Sequence, residues 1–181
     1  MSKVRPASEI GHLWLAGIGR HLDDLRSGSY EGESGKAREP VYREAFDLLT
    51  PVATAVLSEI NNTLLASTAE VAVQSPESDG RNGLIGSWTL SWPRQREASN
   101  RFSGGRLRPV MISAVFPEGF VHPHLVAGGP INAGSDTLVA WPMQVTTAQE
   151  ASAYEPLLWA IAAAEVHDRI YQSSWRIIPS R

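Results

Sequence analysis

Cysteine is missing from all 181 residues. Thiolate nucleophiles, thioester intermediates, disulfides and thiolate metal sites are therefore excluded from whatever this chain does. Long apolar runs are missing too, since no stretch approaches the roughly 18 consecutive apolar residues that a bilayer requires. Met1-Ser2-Lys3-Val4-Arg5-Pro6 leads into an amphipathic segment rather than the apolar stretch of a secretion signal. A cytoplasmic protein with no membrane contact is the expectation. Basic clustering is equally sparse. The formal net charge is -3, and Arg94, Arg96, Arg101, Arg106 and Arg108 gather only loosely, in a segment that reads as a solvated loop. Nucleic acid wants a concentrated basic surface, so it is not an expected partner.

What is present is an ordinary globular balance. With 43% hydrophobic and 19% charged residues, the chain can bury a core in one domain of this length. Ile10, Trp14, Ile18, Leu22 and Leu25 form a helical stripe, with Ser8 at the N-cap position. Gly28 to Lys36 is Gly- and Ser-rich and reads as a flexible linker. Residues 1–36 are thus an appendage, and residues 37–181 the domain proper. A second helix starts near Pro40 and carries Phe46, Leu49, Val52, Val56 and Ile60, with Pro51 predicting a kink or restart.

The period then changes from helical to strand-like. Glu70 to Gln74 alternates, and Ser75-Pro76-Glu77-Ser78-Asp79-Gly80 is turn chemistry. Leu84 to Trp92 and Val110 to Phe116 are two further strands, and the short connections favour an antiparallel meander of three to four strands. Trp88 and Trp92 share one strand face, in the core or in a surface patch. Pro117 to Pro142 reads as an irregular loop with room for a short strand near Thr137 to Ala140. Thr147 and Glu150 form a capping-box pair ahead of a C-terminal helix. Glu165, His167, Asp168 and Arg169 read as a solvated face of that helix. The fold class is α+β.

Chemistry, if any, belongs to the loop. It contains two of the five histidines, His122 and His124, separated only by Pro123. In extended backbone both rings fall on one side, a geometry zinc can use, with Asp136, Glu165 or His167 as the third ligand. No recognisable spacing fixes that third ligand. A histidine nucleophile or acid–base pair is the second reading, but Val126 stands where a His-x-His-x-His triad needs its third histidine. The third reading is architectural, with His122 a buried, hydrogen-bonded pin for the loop.

In the third reading the segment resembles the active-site loop of ubiquitin-conjugating enzymes, the E2 family within the wider RWD-like fold. That family has His-Pro-Asn, then a glycine, an aliphatic residue and the catalytic cysteine, followed by a tryptophan and proline ahead of a helix. His122-Pro123 stands at the His-Pro and His124 at the Asn. Gly129 stands at the glycine, Ile131 at the aliphatic residue and Asn132 at the cysteine, with Trp141-Pro142 following. Upstream, Ser75-Pro76, Leu90-Ser91-Trp92-Pro93 and Arg108-Pro109-Val110 resemble the family's strand boundaries, so that residues 40–171 follow its order. The segment through Pro117-Glu118-Gly119 is a few residues longer than the family's.

The resemblance implies a pseudoenzyme. The carboxamide of Asn132 is neither a nucleophile nor a leaving group, and Ser135 would need His124 as its base. The implied function is that of the cysteine-less E2 variants, a non-catalytic module with no cofactor. Its partner would be a ubiquitin-like protein, an activating enzyme or another E2-like chain. A rival expectation is an enzyme using His122 and His124 as metal ligands or an acid–base pair, with His167 a weaker ligand candidate. Self-association through the helix at residues 8–26 is a third.

Overall fold

A stripe of apolar side chains recurring every three or four residues, Tyr42, Phe46, Leu49, Ala53, Val56, Leu57 and Ile60, builds helix α1, Gly35–Leu64. In the computed structural model the described residues are 15–16, 18–20, 22–23, 25–28, 35–101, 107–120, 122–128, 138–172 and 177–178. Most of the segment read as a linker lies outside them. Helix α1 begins earlier than expected and runs through Pro51 without a restart. The missing amide donor is flanked by two hydroxyls: Thr50 donates to the Phe46 carbonyl and Thr54 to the Thr50 carbonyl. At the other end the Asn61 side chain clamps Ala69, donating to its carbonyl and accepting from its amide, each at 2.9 Å.

The meander has five strands rather than three or four: β1 Glu70–Ser78, β2 Leu84–Ser91, β3 Val110–Phe116, β4 His124–Gly128 and β5 Leu138–Pro142. They lie in sequence order, each antiparallel to the next. Ser75-Pro76 does not turn the chain. A bulge between Gln74 and Glu77 absorbs Pro76 on an edge strand, where a missing amide disrupts no ladder bond. The turn comes later, where the Asp79 carboxylate accepts the amides of Arg81 and Gly83.

The segment read as a polar loop after Trp92 is helix α2, Pro93–Arg101. Proline at a first helical position costs no hydrogen bond, and buried Gln95 ties the helix back to the Leu107 carbonyl at 2.7 Å. Two of the loosely gathered arginines have partners within the chain: Arg94 reaches the Ile178 carbonyl, and Arg96 reaches Ser91 and Glu70. Helix α3, Ala148–Ala153, is capped by Thr147, whose hydroxyl accepts the Glu150 amide. Helix α4, Glu155–His167, follows and ends in a π-turn, Asp168–Gln172.

Helices α1 and α4 bury one face of the sheet, on which Trp88, Leu90, Val110, Ile112, Phe116 and Leu125 are almost wholly enclosed. Trp88 stacks on Phe46 with ring centroids 4.4 Å apart and donates to the Thr50 hydroxyl. Trp92 donates to the Ile177 carbonyl at 2.6 Å. Both tryptophans are therefore core residues. The opposite face carries Ile85, Thr89, Met111, Ser113, Val115, His124 and Val126, all half-buried. No described helix is long and apolar enough to cross a membrane.

Candidate functional site

Strand β3 ends at Phe116, and a turn closed by the Phe120 amide on the Pro117 carbonyl redirects the chain toward β4. Gly119 sits in that turn at a φ of 78°, the left-handed region that glycine enters without steric cost. After the turn come Phe120, half exposed, then half-buried His122 and buried Pro123. His124 was expected in the loop but is instead the first residue of β4, opposite Val115 of β3 and Pro142 of β5. The segment read as irregular thus contains two paired strands, β4 and, where a short strand was expected, β5, because Leu125-Val126-Ala127 and Leu138-Val139-Ala140 are apolar runs that pair.

This ladder brings His122-Pro123-His124 together with Trp141-Pro142. The Met143 amide donates to the Pro123 carbonyl at 2.8 Å, and Trp141 lies opposite Leu125. The Met143 bond also fixes the phase of the pairing. Val139 and Trp141 turn their amides toward β4, whereas Leu138 and Ala140 turn theirs toward the outer edge of the sheet, where no described strand pairs with β5. The Pro142 carbonyl, of that same outward set, accepts the Tyr154 hydroxyl at 2.9 Å, and that hydroxyl accepts the Gln144 amide. Burial raises the Tyr154 pKa, keeping the phenol protonated to make this bond.

The two imidazoles lie 5.3 Å apart between ring centroids, tilted by 36°. Phe120 presents its ring at 88° to that of His124, centroids 5.5 Å apart. Burial lowers the pKa of both histidines. For His122 the neighbouring His124 charge adds to the effect; for His124 a hydrogen bond to the His122 backbone partly opposes it. Both rings are therefore neutral at neutral pH, the state in which imidazole ligates a metal or accepts a proton.

Their expected helpers are elsewhere. Glu165 is buried and paired with Arg169 at 2.7 Å, while His167 is exposed beside Asp168 and Tyr171. Among the described residues no group of three or more His, Asp or Glu side chains is arranged to hold a metal ion. Asp136, Gly129, Ile131, Asn132 and Ser135 lie outside the described residues, in the connector between β4 and β5. The histidines stand at the end of the β4–β5 ladder away from that connector; Gly128 is four strand steps, about 13 Å, from His124.

Two participants escaped the sequence reading. Phe120 follows Gly119 and is an exposed aromatic in a turn, a signal that was legible. Tyr154 sits between two short helices, and nothing in its neighbours predicts that its hydroxyl closes the Pro142 end of β5. Compared with protein-family models, curated proteins and solved structures, the chain gives no match.

Proposed function

We propose that this chain is a non-catalytic protein-interaction module of the E2/RWD type, working in the cytoplasm and binding a ubiquitin-like protein, an activating enzyme or another E2-like chain. The observation that carries the reading is the β4–β5 ladder. It holds His122-Pro123 against Trp141-Pro142 after an antiparallel meander and ahead of the closing helices, the order that the E2 resemblance implies. A chain without cysteine cannot carry a modifier as a thioester, so a partner would be held by surface alone.

The surface offered is the edge of β5. Edge strands invite pairing unless charge, proline or a bulge blunts them. The other edge, β1, has all three, in Glu70 and Glu77, Pro76 and the bulge after Gln74. Strand β5 reads Leu-Val-Ala-Trp-Pro, uncharged, with Val139 48% exposed and proline only at its end. An extended partner segment adds to such an edge through backbone hydrogen bonds.

Titration calorimetry of the purified chain against a ubiquitin-like protein, an activating enzyme and an E2-like chain from its own genome tests this. One of them should bind at micromolar strength, and Val139→Lys should weaken that binding at least tenfold without altering the fold. Absence of binding to all three overturns the reading.

A second reading rests on the paired neutral imidazoles, which suit a metal ion or acid–base work. Elemental analysis of untagged protein separates the two. A stoichiometric transition metal lost in His124→Ala supports the enzyme.

A further inference from the structure

Alternation places His122 and His124 on one side of the sheet. Pro123, Leu125 and Ala127 are buried on the inner side, so His122, His124 and Val126 present to the outer face, where all three are half-buried. The pair is fixed before any ligand arrives. Proline sets its own φ between the two histidines, and its carbonyl accepts the Met143 amide at 2.8 Å. His124 is further held in register between Val115 and Pro142. Its ring also bonds the His122 backbone, and because that bond favours the protonated form it is one that a ring N–H donates. The second ring nitrogen keeps its lone pair, the usual arrangement of a metal-ligating histidine.

The separation of the rings distinguishes between coordination geometries. A metal bonded to an imidazole nitrogen at about 2.0–2.1 Å sits about 3.2 Å from the ring centroid. Two rings on a tetrahedral ion therefore have centroids about 5.2 Å apart. Two neighbouring rings at the right angle of a square-planar or octahedral ion have them about 4.5 Å apart. The centroids of His122 and His124 are 5.3 Å apart, which fits the tetrahedral case.

We propose that His122 and His124 form a two-histidine site for a tetrahedral divalent ion of the zinc class. Among the described residues no third His, Asp or Glu joins them, so the remaining positions are open to water or to a ligand from outside the chain. Structural zinc is closed by four side chains and catalytic zinc is held by three. An ion on two is exchangeable, and it is supplied by the medium rather than retained through purification. The inference deepens the metal reading of the paired imidazoles and rests on it, not on the β5 edge. It is tested apart from that reading: resident metal decides whether the chain is a metalloenzyme, and added metal decides whether the site exists.

Titration of zinc chloride into the untagged, chelator-treated full chain tests it, with cobalt(II) as a second probe. Copper(II) binds nitrogen ligands more tightly than zinc whatever the geometry, whereas the visible spectrum of cobalt(II) reports coordination number. One zinc should bind per chain, and cobalt should give the intense visible bands of tetrahedral coordination. His122→Ala and His124→Ala should each weaken zinc binding at least tenfold and abolish those bands. His167→Ala, whose ring is exposed beside Asp168, should change neither. Zinc should also raise the Tm of the wild type and not that of His124→Ala, because the ion ties the first residue of β4 to the chain ahead of it. Absence of zinc binding, an octahedral cobalt spectrum, or binding undiminished in His122→Ala/His124→Ala, which would mean an adventitious ion only, overturns the proposal.

Discussion

Arg169 donates to the Glu165 carboxylate at 2.7 Å, and both side chains are only 4% exposed. The same guanidinium also donates to the carbonyls of Arg108 and Pro109, at 2.9 and 3.2 Å. One side chain thereby fastens the C-terminal helical region to the start of β3. Removing one member of a buried pair leaves the other charge in a poor solvent, which costs about 3–5 kcal/mol. Arg169→Ala should lower unfolding free energy by that amount in urea titrations. The joint replacement Glu165→Leu/Arg169→Met should cost less than Arg169→Ala alone, because it leaves no orphaned charge. A loss under about 1 kcal/mol for Arg169→Ala would show that water reaches Glu165 and that the pair is not a latch.

Gly86 faces Phe46 across the α1–sheet interface. A Cβ at that position would lie 2.6 Å from the Phe46 Cε2 atom, and Phe46 has no room to retreat because its ring is stacked on fully buried Trp88. Gly86→Ala should therefore destabilise the fold by about 1–3 kcal/mol, despite alanine's better strand propensity. Thermal unfolding is the readout. Pairing it with Phe46→Leu should recover part of the loss, since a smaller side chain admits the methyl group.

Ala66 and Ser67 close helix α1 with φ of 53° and 57°, in the left-handed region that costs an L-residue about 1–2 kcal/mol. Ala66 is exposed, so its methyl group contributes no core packing in return. Ala66→Gly should raise stability by up to about 1 kcal/mol, the gain from relieved strain exceeding the extra chain entropy that glycine loses. An unchanged or lower Tm would mean the strain is smaller than the dihedral implies.

The sequence made α1, the three longest strands and the C-terminal helical region legible, because each has a periodic apolar face, although the single closing helix expected after the Thr147 cap is two, α3 and α4, divided at Tyr154. Glu165 and Arg169 were misread as solvated for the opposite reason. Charged residues four apart on a helix normally face water, and their burial depends on backbone carbonyls sixty residues away in the chain. The short strand expected near Thr137 to Ala140 is β5, whereas β4 and its pairing with β5 were hidden because β4 has only five residues and follows directly on His122-Pro123. At the site, His122 and His124 were legible as a pair, whereas Tyr154 reaches Pro142 through tertiary packing that no local pattern encodes. The stripe of the first helix was legible as an amphipathic one that could serve self-association, and its described aliphatic residues, like the charged ones beside them, are exposed.

The paired histidines fix a sign for the acid side of stability. Both have folded pKa values below the ordinary 6.5, through burial first, so the folded state binds fewer protons than the unfolded chain just below that pH. Their contribution is fully present above about pH 6.5 and is lost as pH falls through the lowered folded values. Protonating both would also set two cations with ring centroids 5.3 Å apart, beside an amide–carbonyl bond from Met143 to Pro123 that holds the hairpin. Glu150 acts lower on the scale. Burial alone would raise its pKa, but hydrogen bonds from Thr146 and Thr147 together with Arg20 outweigh it, and the carboxyl sits below its ordinary 4.5. Its stabilisation therefore persists until pH falls under about 4.5, well separated from the histidine window. Tm should hold steady from neutral to mildly basic pH and decline as pH falls below about 6.5. In His122→Gln/His124→Gln that decline should flatten, while the lower, carboxylate-driven loss remains. An identical decline in the double variant would show that the histidines take no part in it, and would remove the electrostatic ground for treating them as a coupled pair.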